Sequence, residues 1–188
     1  MRKVAFFTAL VFVLISSAVA FAGPAPQKVI DLANSQLASL GTDAAVIKAV
    51  NAANAEGKTM AQIEELDAQW KADKKAGKTA PYMTELMEND CAKQLKALMA
   101  QHPFITEIFV TDNQGANVAQ TGGTGDYWQG DEAKFKKSFN GGNGAVFVDE
   151  VEFDDSTQAY TVQVSVPVKD GETVIGAITF GIDVEKIE

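Results

Sequence analysis

Arginine, cysteine and histidine are almost missing from this 188-residue sequence. Each occurs once, as Arg2, Cys91 and His102. A single cysteine cannot form an internal disulfide, so a folded domain here depends on its apolar core. Nucleophile–histidine–acid catalysis would have to use His102, and no serine stands in the glycine-flanked elbow of such hydrolases. Composition therefore argues against an enzyme.

The sequence has one long apolar run, and it lies near the N terminus. Arg2 and Lys3 precede an apolar run over residues 4–15, and Ala20-Phe21-Ala22 fits the small-x-small pattern of signal-peptide cleavage. We therefore predict a signal peptide over residues 1–22, cut after Ala22, and export to the periplasm. The run is short for a permanent anchor, but retention as an anchor stays open as the alternative.

Acidic residues clearly outnumber basic ones. The chain has 25 Asp and Glu against 16 Lys and Arg, a net charge of −9, and loss of Arg2 and Lys3 with the signal peptide makes it −11. Such a surface repels nucleic acid and anionic lipid, so neither is an expected partner. The acids within 149–155 match no twelve-residue calcium loop, and we expect neither a metal nor a cofactor.

The period of the apolar residues changes once along the chain. From 24 to 102 they recur at helical spacing, and from 104 to 188 they alternate as in strands. Helix signals include a cap at Thr42 or Asp43, a capping box from Thr59 to Gln62, and Pro81 at the start of the last helix. Strands are predicted over five segments, with one short helix over 131–139 after the second of them: 105–112, 116–121, 145–153, 159–168 and 173–184.

This order of elements predicts the fold class. Helices followed by strands imply α+β, with a single domain over 23–188. We expect a five-stranded antiparallel PAS-like sheet, with the long N-terminal helical segment packed on one of its faces. Asp170-Gly171 is predicted to join the last two strands as a hairpin.

Three stretches carry a resemblance to a known family: ITEIFVTDNQGANVAQT, DYWQGDEAKFKKSF and YTVQVSVPVKDGETVIGAITFGIDVEKI. In this order after a long helix, they resemble the single-Cache form of the Cache domains, which are PAS-like extracytoplasmic sensor modules of bacterial chemoreceptors and histidine kinases. The resemblance implies a small ligand held between one sheet face and the loop and helix after the second strand. Cache domains usually stand between two transmembrane helices, but this sequence has no second long apolar run. We therefore expect a free-standing periplasmic form that signals through a separate membrane-bound receptor or kinase.

Alternation along the last two strands predicts a face that could line this ligand site. Val174 and Ile178 are expected on the apolar face, together with the even-numbered residues of the fourth strand. The opposite face is polar, and the loop with Tyr127 and Trp128 is predicted to close over it as an aromatic lid. The small and polar residues of this face are Thr161, Gln163, Ser165 and Thr179.

The resemblance also implies something about the ligand. Amino-acid-binding double-Cache domains carry an Arg two residues before a Trp, which grips the ligand carboxylate, and an Asp three residues after it. Here Asp126 replaces that Arg, Trp128 and Asp131 match the other two positions, and Asp183 matches an Asp that meets the ligand amine. A free carboxylate is therefore a poor ligand. Because aromatic faces and carboxylates attract ammonium groups, we expect an amine-bearing or neutral polar ligand.

Structural roles stay open for the same residues. Tyr127 and Trp128 could seal the loop against the sheet, Asp131 could cap the short helix, and Asp183 could end its strand at the surface. For the whole protein, one alternative is a structural or assembly factor that forms a homodimer through its N-terminal helix and binds no ligand. A small periplasmic hydrolase is the other.

Overall fold

A computed structural model describes residues 23–154 and 158–187. The predicted signal peptide and its cut after Ala22 lie outside the described residues. The helical segment consists of α1 (Gln27–Leu32), α2 (Ala38–Leu40), α3 (Ala44–Glu56), α4 (Met60–Lys75), α5 (Pro81–Glu88) and α6 (Asp90–Gln101), and a π-helical turn (Ala33–Leu37) joins α1 to α2. Within the two described ranges, no helix has both the length and the apolar character that a membrane span requires.

The helix starts follow the capping residues in the sequence. The Asp43 carboxylate accepts backbone N–H groups in the first turn of α3. Thr59 and Gln62 form the predicted capping box at the start of α4, and Pro81 occupies the first turn of α5. These side chains satisfy donors that a helix leaves unpaired at its N terminus, or, for proline, remove one.

The helix predicted to run on from Pro81 is in fact two helices. Asn89 ends α5 and caps α6, because its Oδ1 accepts the Ala92 N–H at 2.9 Å. Its Nδ2 also donates to the Val118 carbonyl at 2.9 Å. An Asn side chain that bonds the backbone in this way competes with helix continuation, so the chain turns and α6 packs on the sheet.

The strands form one antiparallel sheet. They are β1 (Ile105–Thr111), β2 (Asn117–Gln120), β3 (Phe147–Asp154), β4 (Ala159–Asp170) and β5 (Thr173–Asp183), in the order β2-β1-β5-β4-β3. A short helix, α7 (Ala133–Phe139), follows β2 and begins two residues later than predicted, at an N-cap of Glu132. The α+β class and the five-stranded antiparallel PAS-like sheet are confirmed.

Two layers cover the two faces of the sheet. Helices α1, α3 and α6 pack on the face that carries Val164, Ile178 and Phe180, and this contact forms the main core. Helix α7 lies against β4 and β5 on the other face. The prediction for Val174 is wrong, because a bulge opposite Val168 and Lys169 puts Ile175 into the main core. Val174 instead lies beside Gly144, at the end of the α7 layer.

A second, smaller apolar cluster lies under α4 and α5. It is centred on Trp70, which is fully buried, and its indole donates to the Thr124 carbonyl at 2.9 Å. We name it the aromatic cluster; its buried members are Ile63, Trp70, Met83, Ala116 and Tyr127. The molecule therefore has a main core between helices and sheet and a satellite core beside β2.

Gly176 marks a close contact between the sheet and α3. A Cβ there would lie 2.2 Å from the Thr111 carbonyl oxygen and 3.0 Å from Val50 Cγ1. We expect Gly176→Ala to lower the free energy of unfolding by about 2 kcal/mol, since overpacking against backbone forces β1 and β5 apart. Urea denaturation measures the change. Gly122→Ala is the matched control, because a Cβ at Gly122 meets nothing within 4 Å; equal losses in both variants would contradict the expectation.

Candidate functional site

A cavity of about 470 Å³ opens on the sheet face that α7 covers. We name it the acidic cavity. Its walls come from β1, β3, β4 and the start of α7, and Gly181 of β5 lies at its floor. Among its described lining residues, one lysine, Lys134, faces six carboxylates: Glu107, Glu132, Asp149, Glu150, Glu152 and Asp154. The cavity therefore carries a strong excess of negative charge.

Glu107 is the carboxylate at the floor of the acidic cavity. Gln163 Nε2 donates to Glu107 Oε1 at 3.2 Å. Gly181 makes room for this side chain, because a Cβ on Gly181 would lie 2.7 Å from Glu107 Cγ. Burial raises the pKa of Glu107 above its ordinary value, and the nearby Asp154 charge adds to this, while Lys134 and the Gln163 hydrogen bond oppose it. Glu107 is thus a desolvated acid that lacks a full counter-charge.

Lys134 neutralises little of the cavity. Its Nζ lies 4.0 Å from the Glu132 carboxylate and 5.6 Å from the centre of the Phe109 ring. Its charge also acts on Glu107. Lys134 is therefore a single cation shared among several groups of the cavity wall.

Two of the predicted site residues line this cavity and two lie beneath it. Thr161 and Gln163 line the acidic cavity. Ser165 and Thr179 belong to the same sheet face but are buried, and their hydroxyl oxygens are 2.9 Å apart in a hydrogen bond with each other. They satisfy one another, so the predicted row of four polar residues is only half open to a ligand.

The two predicted aspartates do not line the cavity, although Asp183 is the strand partner of Thr161. Asp183 is 3% exposed, and its Oδ2 is 2.9 Å from Lys186 Nζ. Burial acts to raise the pKa of Asp183, but the hydrogen bonds from Lys186 and the Glu185 amide outweigh it and hold the pKa below its ordinary value. Asp131 is exposed, and the N-cap of α7 is Glu132, so Asp131 does not cap the helix.

The aromatic lid is placed differently from the prediction. The Tyr127 ring packs on Trp70, with ring centres 6.2 Å apart, in the aromatic cluster. The half-buried Trp128 packs against the same cluster and donates its Nε1–H to the Gln114 carbonyl at 2.8 Å. Neither residue lines the acidic cavity. The structure therefore gives Tyr127 and Trp128 the sealing role that the sequence left open, on the α4 side.

Asp67 holds this aromatic pair in place. Its Oδ1 accepts the backbone N–H groups of Tyr127 and Trp128, both at 3.0 Å. Its Oδ2 lies 2.7 Å from Lys71, which in turn lies 3.5 Å from Asp126. Asp126 is thus engaged with a lysine of α4, and a buried carboxylate fixes the direction of the loop.

Sequence reasoning missed the residues that shape the site, although two signals were present. Asp67 falls on the buried stripe of α4 between Ile63 and Trp70, where an acid needs a partner. Glu107 stands two residues before Phe109 in β1, so strand alternation places it on the same sheet face as that buried ring. An acidic side chain at a buried position needs a hydrogen-bond or charge partner, so it indicates a structural or ligand-binding role.

We expect Asp67→Ala to lower the free energy of unfolding by about 3 kcal/mol, because two N–H groups of the loop lose their acceptor. Asp67→Asn keeps an oxygen for both and loses less. Both tryptophans, Trp70 and Trp128, report on this region, so fluorescence-detected denaturation measures the effect. Glu64→Ala, at an exposed position of the same helix, should change stability by under about 0.5 kcal/mol. Equal stability of Asp67→Ala and Glu64→Ala would show that the hydrogen bonds from Tyr127 and Trp128 to Asp67 do not stabilise the fold.

Comparison with known proteins gives structural neighbours only. No protein-family model matches the sequence, and no curated protein matches it. The sensor domain of the histidine kinase DctB of V. cholerae is similar at 11% identity and a TM-score of 0.46, over 86% of this chain and 52% of that one. The sensory domain of the Campylobacter jejuni chemoreceptor Tlp3, with isoleucine bound, is similar at 16% identity and a TM-score of 0.40, over 88% of this chain and 66% of that one. This chain thus spans about half the length of the DctB domain.

Proposed function

We propose that this protein is a non-enzymatic, periplasmic sensor module that binds an amine-bearing small molecule in the acidic cavity. The observation that carries the proposal is Glu107, a desolvated carboxylate at the floor of a cavity of about 470 Å³. A ligand cation would supply the counter-charge that this group lacks, and attraction to a partly desolvated carboxylate is stronger than attraction in bulk water.

The charge of the walls selects among ligand classes. Acids from β1, β3 and α7 surround the cavity, and Lys134 is the one lysine among its described lining residues. A carboxylate ligand would meet this excess of like charge, which one lysine does not balance. Of the two classes that the sequence left open, amine-bearing and neutral polar, the cavity favours the amine.

The spacing of the acids favours an organic cation over a metal ion. Within the described part of the chain, no three His, Cys, Asp or Glu side chains converge closely enough to hold a metal. The carboxylates instead spread over three elements along the cavity wall. An elongated molecule with an ammonium group at each end fits such a spread better than a point charge does.

Among the residues proposed from the sequence, Thr161 and Gln163 keep a direct role. We place the ammonium group against Glu107, with the Gln163 amide oxygen and the Thr161 hydroxyl as further acceptors. The Gln163 amide nitrogen already donates to Glu107, which leaves its oxygen for the ligand. Ser165, Thr179 and Asp183 support the sheet beneath, and Tyr127 and Trp128 hold the loop.

Signal transfer would start at α7. Glu132 and Lys134 at its start form one wall of the acidic cavity, while the rest of the helix rests on β4 and β5. A ligand cation that attracts Glu132 and repels Lys134 changes the position of this helix on the sheet. We propose that a separate membrane-bound receptor or kinase reads that change.

Isothermal titration tests the ligand class. We expect 1,4-diaminobutane to bind and succinate not to bind. Glu107→Gln keeps the shape of the side chain and the contact with Gln163, and it should weaken diamine binding at least tenfold, about 1.4 kcal/mol. Glu64→Gln, on the exposed side of α4, is the control and should leave binding unchanged. Tight succinate binding would refute the proposal, and so would an equal diamine affinity of the wild-type protein and Glu107→Gln.

The raised pKa of Glu107 predicts a pH dependence. Above that pKa the carboxylate is ionised and holds the ammonium, so diamine affinity is at its maximum. As pH falls through it, at a value above the 4.5 of an ordinary glutamate, Glu107 takes up a proton and affinity falls, because the amines stay charged. Titrations from neutral pH downward measure this decline. The part of the decline that sets in above pH 4.5 should be absent from Glu107→Gln, and an identical decline in both proteins would show that another group is responsible.

A further inference from the structure

A second, larger cavity lies away from the acidic cavity, on the helical side of the sheet. It is a cleft of about 610 Å³ between α3 on one side and α4, α5 and the start of α6 on the other. Val118 of β2 and the Tyr127 side chain also line it, and no residue lines both cavities. We name it the helical cleft.

The helical cleft separates the two apolar clusters of the molecule. Cys91 and Val118 on its lining belong to the main core, and Tyr127 belongs to the aromatic cluster. Small side chains on α3, among them Ala49 and Ala52, face Leu86 across the opening. Alanine leaves the space unfilled, so the two cores do not pack against each other here.

Tyr127 presents a free hydroxyl to this space. Within the described part of the chain it has no hydrogen-bond partner, whereas the Tyr82 hydroxyl on the same lining is bonded to Asp73 at 3.0 Å. Burial raises the pKa of Tyr127 to about 12, and the charges of Asp112 and Glu56 add to this. The phenol therefore stays neutral and can donate.

Asn117, also on the lining, has an unsatisfied acceptor. It is 3% exposed, and its Nδ2 donates to Thr124 Oγ1 at 2.9 Å and to the Asp126 carbonyl at 3.0 Å. Its Oδ1 is buried and has no partner among the described residues. A buried acceptor without a donor costs about 1–3 kcal/mol, and a ligand that reaches it with an N–H or O–H would recover part of that.

We propose that the helical cleft is a binding site for an uncharged, mainly apolar small molecule with a hydroxyl or amide group at one end. That end accepts from the Tyr127 hydroxyl and, once a small shift of the Asn117 side chain opens its buried Oδ1 to the cleft, donates to that oxygen. The apolar body lies between Ala52 and Leu86. The charged side chains on the lining carry both signs, as in Lys48 and Glu85. They therefore select no ionic ligand, and the site differs in chemistry from the acidic cavity.

Titration of the ¹⁵N-labelled protein with three probes tests this site by NMR. We expect 3-phenylpropan-1-ol and 3-phenylpropanamide to shift the signals of α3, α5 and the Asn117 side-chain amide. Propylbenzene has the same body without the polar end and should bind about 25-fold more weakly, because both hydrogen bonds of that end are lost. Tyr127→Phe removes one of the two, so it should weaken the alcohol about fivefold and leave propylbenzene unchanged.

Two alanines of α3 offer a matched pair of variants. Ala52 lines the helical cleft and Ala55 does not, and both are exposed, so neither change threatens folding. Ala52→Trp should weaken alcohol binding at least tenfold, and Ala55→Trp should not change it. Absence of binding up to the solubility of the probes, or equal binding by both variants, would overturn the proposal. Glu107→Gln should leave alcohol binding intact, which separates this result from the test of the acidic cavity.

Discussion

The arrangement of both cavities depends on one buried carboxylate, Asp67. By accepting two successive amide groups, it ties the loop after β2 to α4 and turns both aromatic side chains towards the helices. Among the described helices, α7 is the one that lies on the opposite sheet face, and its seven residues leave part of that face uncovered. The uncovered part becomes the acidic cavity, while Tyr127 on the other side becomes part of the helical cleft.

The carboxylate of Glu107 lies in the acidic cavity without a close counter-charge from the described residues. Glu107 is half-buried, its pKa is raised, and Gln163 offers it a single neutral hydrogen bond. Asp67 and Asp183 instead each have a lysine ammonium group beside them, at 2.7 Å and 2.9 Å. Glu107 therefore differs from the acids that stabilise the fold, and perturbed ionisable groups in cavities mark functional sites more often than chance allows.

Local signals in the sequence were enough for the class of the fold and for much of the secondary structure. Alternation placed Thr161 and Gln163 on the correct face, and capping residues placed the starts of α3 and α4. The break at Asn89 and the bulge at Ile175 depend on contacts with other elements, so local patterns do not show them. The direction of the aromatic loop depends on a bond between positions 60 residues apart, and this is why the predicted lid lay on the wrong side.

The place of β5 in the sheet has a consequence for biogenesis. It is the last of the five strands in the chain, yet it lies at the centre and joins the β1–β2 pair to the β3–β4 pair. Until it arrives, those two hairpins share no main-chain hydrogen bonds and the helices have no complete surface to pack on. A chain synthesised from its N terminus therefore cannot complete the sheet until β5 has emerged, so the other four strands wait for the last one.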